Sequence, residues 1–545
     1  MLRGMSVTLS FHGAAGTVTG SAYALERSGE IVLVDCGLFQ GPKAVRALNY
    51  GPLPIDVKRL SAVLLTHAHI DHSGLLPKLA AAGWEGPIFA TEATCDLLDF
   101  MLRDTARIQE FEVERLNRRN QRRGRPAVEP IYTSEDATRI LQMLRPVALK
   151  ETVGIVDWMA ARFWNAGHIL GAASVEVETA ADGERPMRLL FSGDLGPGGK
   201  AFHDDPEGPQ GGVDHLILES TYGGRARPAL DEEGRRDALA RVLSAALARG
   251  GPILMPVFAV ERTQELLYDI DRLIDAGRLP DLETFLDSPL AIRATECFDR
   301  HLPRVNEPGT PHPFRRKSLH LVMEAKDSMR LARLRGPVLI MAGSGMCDAG
   351  RIREHIADHL WRPETTLVIV GYQAPGTLGR LIADGAKRVR IHGNEIEIAG
   401  QVELLDVYSG HADAEELAAW AADRRPVHGT LFLTHGEAAE RAALYERLAA
   451  DGWPRERMEL PELDQRYRLR PGHAAQPMKK PRRRAAAKTL AKEAEADWHN
   501  RYAAASLALT QALKDAPDDR ARERLLGRVE KALGLTPPKE SRRRR

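Results

Sequence analysis

The sequence predicts an α/β protein of two or three domains, on three observations. Its 545 residues exceed the size at which a single hydrophobic core keeps growing. Short apolar runs of strand type alternate with segments of helical periodicity along most of the chain. From Val213 the alternation settles into strand, helix, strand, which is the rhythm of a parallel sheet with crossover helices.

In chain order, Val7–Phe11 reads as a strand, His12–Gly20 as a glycine-rich turn, and Ser21–Glu26 and Ile31–Asp35 as further strands. Ala62–Thr66 is a short apolar strand. At its C-terminal end, where open α/β sheets place their ligands, stands His67-Ala-His69-Ile-Asp71-His72. A helix follows over Leu75–Ala82. Residues 97–147 read as mostly helical, interrupted by the basic stretch Arg115–Arg125, which charge alone makes a solvated loop in preference to a polyanion contact. Strands resume at Ala161–Trp164, Ser174–Glu178 and Leu189–Phe191. The second domain then runs through Leu216–Glu219, helix Asp231–Ala248, Ile253–Val257, helix Glu261–Ala276, Glu283–Leu286, Val338–Met341 and Thr366–Val370. Strands at Ile396–Ile398, Val402–Val407 and Leu431–Thr434 lead to a sequence rich in Ala, Arg and Lys after Gln476, with helices expected near Lys488–Lys514 and Asp519–Leu533 in a mobile appendage.

Composition narrows the class. Hydrophobic residues are 43% and charged residues 28%, as in a soluble globular protein. No apolar run approaches the ~20 residues of a membrane span, and Met1–Ser10 lacks the pattern of a secretory signal, so a cytoplasmic location without membrane contact is expected. Cys36, Cys95, Cys297 and Cys347 lie far apart, which predicts small buried thiols rather than a disulfide framework or zinc ribbon. From Met478 onward there are 19 Lys+Arg against 9 Asp+Glu, although the whole chain is only +1. A basic tail on an acidic body suits a nucleic-acid or protein contact, the plain alternative being a solubilising extension.

Four ligand-type side chains within six residues are costly at a strand end unless a cation joins them. On a tight turn, His67 and His69 project to one point while Asp71 and His72 face a second, so one segment serves two ions. Two ions need more ligands. Three further segments offer them just past strands and beside glycine: Ala166-Gly-His168, Ser192-Gly-Asp194 and Thr434-His435-Gly-Glu437.

These metal motifs, together with Leu218-Glu219-Ser-Thr-Tyr-Gly223, Ser409-Gly-His411-Ala-Asp413 and Thr434-His435-Gly-Glu437, resemble the β-CASP group of metallo-β-lactamase-fold nucleases, which includes the pre-mRNA 3′-end processing endonuclease, ribonuclease J and Artemis. Within it the chain is most similar to bacterial and archaeal relatives of that endonuclease, through His12–Gly20, Pro256–Gln264 and Gly371–Arg380. The resemblance covers roughly Val7 to Pro461. It implies a metallo-β-lactamase αββα sandwich in two parts, 1–212 and 391–470, a β-CASP domain inserted at 213–390, and a basic, partly helical tail at 471–545.

Carried over to this chain, the resemblance implies two Zn²⁺ ions. His67, His69 and His168 would hold one, Asp71, His72 and His435 the other, with Asp194 bridging and Asp35 orienting a ligand. A hydroxide between the ions would attack a phosphodiester in line. His411, held by Glu219, would protonate the leaving oxygen. The turn Ala342-Gly-Ser344-Gly345-Met346 would face a phosphate with its amides and the Ser344 hydroxyl, and Arg262 and Arg380 would clamp phosphates. Gly343 and Glu261 depart from the family pattern, which more often has serine and glycine there. His435 favours single-stranded RNA as substrate over DNA, because the DNA-processing branch tends to have an apolar residue at that position. A small-molecule hydrolase and a metal-free scaffold are the remaining alternatives. The inserted domain argues against the first, since a roofed cleft suits a polymer, and a complete ligand set against the second. The expectation is a zinc ribonuclease of RNA processing or decay, endo- or exonucleolytic, with room for a homodimer.

Overall fold

The computed structural model describes residues 6–41, 43–180, 185–200, 202–227, 231–301, 312–371, 373, 377–479, 509, 512–513 and 516–532. The helix expected near Lys488–Lys514 falls almost wholly outside them.

Two sheets face one another. The first has eight strands in the order β23-β22-β1-β2-β3-β4-β5-β6: β1 (Val7–Phe11), β2 (Tyr23–Arg27), β3 (Glu30–Val34), β4 (Leu60–Leu64), β5 (Ile88–Thr91), β6 (Leu144–Val147), β22 (Gln465–Leu469) and β23 (Gln476–Pro477). The second has seven, in the order β21-β20-β11-β10-β9-β8-β7: β7 (Thr152–Val156), β8 (Met159–Asn165), β9 (Ala173–Thr179), β10 (Met187–Phe191), β11 (His215–Leu218), β20 (Leu431–Leu433) and β21 (Met458–Glu459). Alternation decides which side chains meet between them: Leu9, Phe11, Leu25, Val32 and Leu64 of the first sheet pack on Phe163, Val175, Leu189, Phe191 and Phe432 of the second.

Helices cover the outer faces. α1 (Lys43–Ala47), α2 (Ile70–Ser73), α3 (Leu76–Ala81), α4 (Glu92–Arg122) and α5 (Ser134–Leu141) belong to the first half of the chain. Leu76, Leu79, Leu97 and Leu98 of α3 and α4 bury with Leu33, Val63 and Leu65, from alternate positions of β3 and β4 and the residue just beyond. The layers are therefore helix, sheet, sheet, helix.

The inserted domain is a six-stranded parallel sheet in the order β14-β13-β15-β12-β16-β19: β12 (Ile253–Pro256), β13 (Thr284–Leu286), β14 (Leu319–Leu321), β15 (Leu339–Ala342), β16 (Thr366–Val370) and β19 (Gln401–Leu405). β17 (Arg388–Ile391) and β18 (Asn394–Glu397) form a separate hairpin. One sheet face packs on α6 (Glu232–Ala248), α7 (Arg262–Asp275) and α8 (Pro289–His301), the other on α10 (Ile352–His359) and α11 (Leu378–Ala383); α9 (Ala325–Leu331) lies between β14 and β15 in sequence. α12 (Ala414–Ala422) and α13 (Ala438–Ala450) return the chain to the second sheet, and α14 (Asp519–Ala532) lies in the tail.

Several expectations are corrected. The boundary at 213 falls before β11, which is hydrogen-bonded between β10 and β20 and so belongs to the sandwich. The boundary at 391 falls before β19, which pairs with β16 in the inserted sheet. That at 471 falls before β23, which pairs with β22. The basic stretch is helical as far as Arg122, where α4 ends, and only Arg123–Arg125 lie beyond it; α4 is started by the Thr91 hydroxyl accepting from the Thr94 amide. Strands β5, β6, β7, β14, β17, β21, β22 and β23 add to those expected from sequence. All four cysteines are buried and unpaired, as expected.

Candidate metal centre

Strand ends and tight turns deliver every member of the cluster. His67 and His69 follow β4, and Asp71 and His72 lie on the single-turn helix α2. Gly37 passes so close beneath this turn that a Cβ there would lie 1.6 Å from the Asp71 carbonyl oxygen. His168 follows β8, Asp194 follows β10 behind Gly193 at φ +58°, and His435 follows β20, itself at φ +47°.

Distances divide these side chains into two sets around one carboxylate. Asp194 Oδ2 is 3.7 Å from Nε2 of both His67 and His168. Its Oδ1 is 3.3 Å from His72 Nε2 and 3.4 Å from His435 Nδ1. His69 Nδ1 is 3.1 Å from the Nε2 atoms of His67 and His168, and His435 Nε2 is 3.6 Å from Asp71 Oδ2. The ligand atoms of His67, His69, His168 and Asp194 all lie within 4.8 Å of one another, as do those of Asp71, His72 and His435.

This donor set fits metal ions. His72 Nε2 and His435 Nε2 face each other at 2.9 Å. The Nδ1 of His72 is turned to Asp35 at 2.7 Å and that of His168 to the Gly410 carbonyl at 2.6 Å, so both rings offer their Nε2 lone pairs inward. Asp194 Oδ1 is buried without a hydrogen-bond donor. Such convergence of ligand atoms in a buried site calls for positive charge at its centre, which bound metal ions would supply.

The titration behaviour agrees. Burial, reinforced by the neighbouring rings of His72 and His411 respectively, holds His67 and His168 well below the ordinary imidazole range. Burial lowers His69 to about 4. For His72 and His435 burial acts the same way but is outweighed, chiefly by Asp194, aided by Asp35 at His72 and by Asp71 at His435, so both are raised. Burial would raise Asp194, yet His435 and His72 hold it well below the carboxylate range. The carboxylates call for positive charge here, whether protons or metal ions supply it.

Second contacts fix the ligands. Asp35 accepts from the Ser21 hydroxyl at 2.9 Å and from the Thr66 amide at 2.9 Å while holding His72. Beside the cluster, His411 Nδ1 is 3.3 Å from Glu219 Oε1 and 3.9 Å from Asp194 Oδ2. Glu219 is itself fixed by the amides of Leu195 at 2.7 Å and Thr221 at 3.1 Å.

The expected phosphate residues all lie on the inserted domain. Ser344 and Gly345 follow β15, and Arg262 starts α7 just after β12, so all three lie at the carboxyl edge of the inserted sheet. Gly345 packs against the Phe258 ring, over which the Arg262 guanidinium also sits, 6.0 Å from its centroid. The Ser344 amide does not point outward, because it donates to the Ala349 carbonyl; the Ser344 hydroxyl oxygen accepts from the Ala349 amide at 3.3 Å, which leaves its proton to donate. Arg380 lies on α11, whose Gly379 amide donates to the Met346 carbonyl at 3.1 Å, and its Nε donates to Asp384 at 2.9 Å.

Sequence reasoning missed a buried group that supports His168. The Glu261 carboxylate, on a residue at φ +72°, meets His203 Nε2 at 2.8 Å, Lys200 Nζ at 3.5 Å and the Leu170 amide at 3.2 Å, and Lys200 Nζ donates to the His168 carbonyl at 2.5 Å. The only signal was the departure from glycine at Glu261.

Comparison with known proteins agrees with this geometry. Residues 15–153 match the metallo-beta-lactamase superfamily, 263–382 the Beta-Casp domain and 395–456 the Zn-dependent metallo-hydrolase RNA specificity domain. The chain is 37% identical to Ribonuclease TTHA0252 of Thermus thermophilus over 81% of its own length and 95% of that protein's. It is 29% identical to an RNase J-like protein of Methanocaldococcus jannaschii, over 79% and 93%, and 28% identical to Transcription termination factor FttA of Cenarchaeum symbiosum, over 79% and 66%. With its sandwich, its inserted parallel sheet and its ligand cluster, the chain belongs to the β-CASP ribonucleases of the metallo-β-lactamase superfamily, a family of metal-dependent hydrolases.

Proposed function

We propose that this chain hydrolyses phosphodiester bonds of single-stranded RNA with two zinc ions, in RNA processing or decay. The observation that carries the proposal is the convergence of two ligand sets on the two oxygens of one buried Asp194. His67, His69 and His168 would hold one ion, Asp71, His72 and His435 the other, with Asp194 shared. When bound, the ions supply Lewis-acid stabilisation of phosphoryl charge and lower the pKa of water toward neutrality.

The chain's own residues do the rest. Asp35 and the Gly410 carbonyl lock His72 and His168 in the tautomer that presents Nε2. Glu219 holds His411 by Nδ1, which leaves Nε2 to deliver a proton to the leaving 3′ oxygen. The Ser344 hydroxyl, Gly345 and Arg262 line the carboxyl edge of the inserted sheet and are assigned to the substrate phosphates, together with Arg380 on α11, whose first turn bonds the same loop. Preference for RNA rests on the RNA specificity domain at 395–456, which contains both His411 and His435, and on the ribonuclease named among the relatives.

The test is to incubate zinc-loaded protein with end-labelled single-stranded RNA and DNA of one sequence and follow the product ladder. RNA cleavage is expected, and the ladder distinguishes internal from terminal cutting. Cleavage of DNA alone would move the assignment to a DNA nuclease, and cleavage of neither, with metal bound, to a small-molecule hydrolase.

A further inference from the structure

We propose that the exposed half of α4 is an RNA-binding arm, which anchors substrate beyond the metal centre; this rests on the ribonuclease reading above. Up to Ala106 the helix is seated in the core, but no residue between Ala106 and Asn120 is buried. At 1.5 Å per residue that is about 21 Å of helix carried on the surface, tied to the body near its base by Glu110, which accepts from the Ser134 amide at 2.7 Å and hydroxyl at 2.6 Å.

The exposed part is patterned. At about 100° per residue, Ile108, Phe111, Arg115, Arg118, Arg119 and Arg122 fall within one sector of roughly 100°. All six are exposed, the Phe111 ring at 61%. Arg118 pairs with Glu114 at 2.9 Å; among the described residues Arg115, Arg119 and Arg122 have no acidic partner. Arginines four apart on a helix repel one another, so this spacing opposes the stability of the helix that carries it.

The tip is nonetheless held in shape. Asn117 exchanges two 2.8 Å hydrogen bonds with the Val128 backbone, and Asn120 donates to the Pro126 carbonyl at 3.1 Å, folding the returning chain onto the helix. The charges are thus preorganised rather than trailing in solvent.

Chemistry and position select the partner. Planar guanidinium groups match phosphates bidentately, and an exposed aromatic ring among them is a platform for an unpaired base. The arm is rooted beside the site: the Thr91 and Thr94 hydroxyls donate to the carbonyl of Gly171, three residues past His168, at 2.6 and 2.9 Å, and Asp96 meets His301 of the inserted domain at 2.8 Å. The root of the arm thus lies at the junction of the lobes, beside the loop that carries His168.

The test uses the full zinc-loaded chain carrying R115Q, R118Q, R119Q and R122Q together, glutamine being a good helix former, with Phe111→Ala as a second variant. Affinity for a long unstructured single-stranded RNA is measured across salt concentrations, and kcat/KM on an oligonucleotide too short to leave the cleft. The quadruple variant is expected to bind long RNA at least tenfold more weakly, with a salt slope shallower by about 0.7 for each phosphate it no longer neutralises, while short-substrate turnover is unchanged. Phe111→Ala is expected to weaken binding without changing the slope. Unchanged affinity and slope in the quadruple variant overturn the arm and leave this face to an acidic protein. Failure of the parent chain to cleave the short RNA would instead overturn the ribonuclease reading, the arm being judged by long-RNA binding.

Discussion

Asp194 is the residue on which the site turns, because each of its oxygens faces a different set of imidazoles. The two sets differ in how tightly they hold protons. His67, His69 and His168 are held below the ordinary imidazole value, so they remain free to bind metal in mild acid; His72 and His435 are raised, so protons compete there first. Zinc is therefore expected to leave in two steps as pH falls, the Asp71, His72 and His435 site emptying at the higher pH; equilibrium dialysis with metal analysis follows it. His411→Ala is expected to reduce RNA cleavage by about a hundred- to ten-thousand-fold, with zinc content unchanged. Glu261→Gln weakens a buried ion group that steadies the His168 loop, and is expected to cost about 3 kcal/mol, read as a lower melting temperature, and to speed zinc loss to a chelator. At this scale the sequence was most informative where ligands are neighbours: four of the seven lie between His67 and His72. The Lys200, His203 and Glu261 group was invisible because its members are brought together only by docking of the inserted domain.

At the scale of elements, most strands of the sandwich and of the inserted sheet announced themselves as short apolar runs, and the ligand-type residues were expected at strand ends, where His67, His168, Asp194 and His435 follow β4, β8, β10 and β20, while Asp71 and His72 lie one step further on, in α2. The exceptions have physical reasons. β6 is four residues long and includes Arg145 and Pro146, which suits its place at a sheet edge and hides its strand character. The last turns of α4 carry an arginine stripe in place of an apolar face, so periodicity had nothing to register. β11 and β19 are short strands whose sheet is set by tertiary pairing, and they enter different sheets, which moved both domain boundaries. The carboxyl edge of the inserted sheet gathers Arg262, Ser344 and Gly345 although Gly345 follows Arg262 by 83 positions. Arg262→Ala is expected to raise KM for RNA about tenfold with a smaller change in kcat, since a phosphate interaction kept through the reaction serves binding more than the chemical step.

For the whole molecule, two lobes meet at the metal centre. The sandwich supplies the seven ligand-type residues; the chain returning from the inserted domain supplies His411 and the carbonyl that orients His168. Docking of the lobes is thus part of assembling the site, and no helix among the described residues is long and apolar enough to cross a membrane. Charge is divided as well, with 19 Lys+Arg against 9 Asp+Glu after Met478 on an otherwise acidic chain. Removing residues 478–545 is expected to weaken long-RNA binding and flatten its salt dependence without altering zinc content, as measured by binding at several ionic strengths. The most direct test of the two-ion centre is to strip the metal and titrate zinc back while recording bound zinc and RNA cleavage together. Two equivalents bound per chain, with cleavage completed only by the second and both reduced in Asp194→Ala, is the expected result. Full cleavage with one equivalent, or unchanged zinc binding in Asp194→Ala, would contradict it.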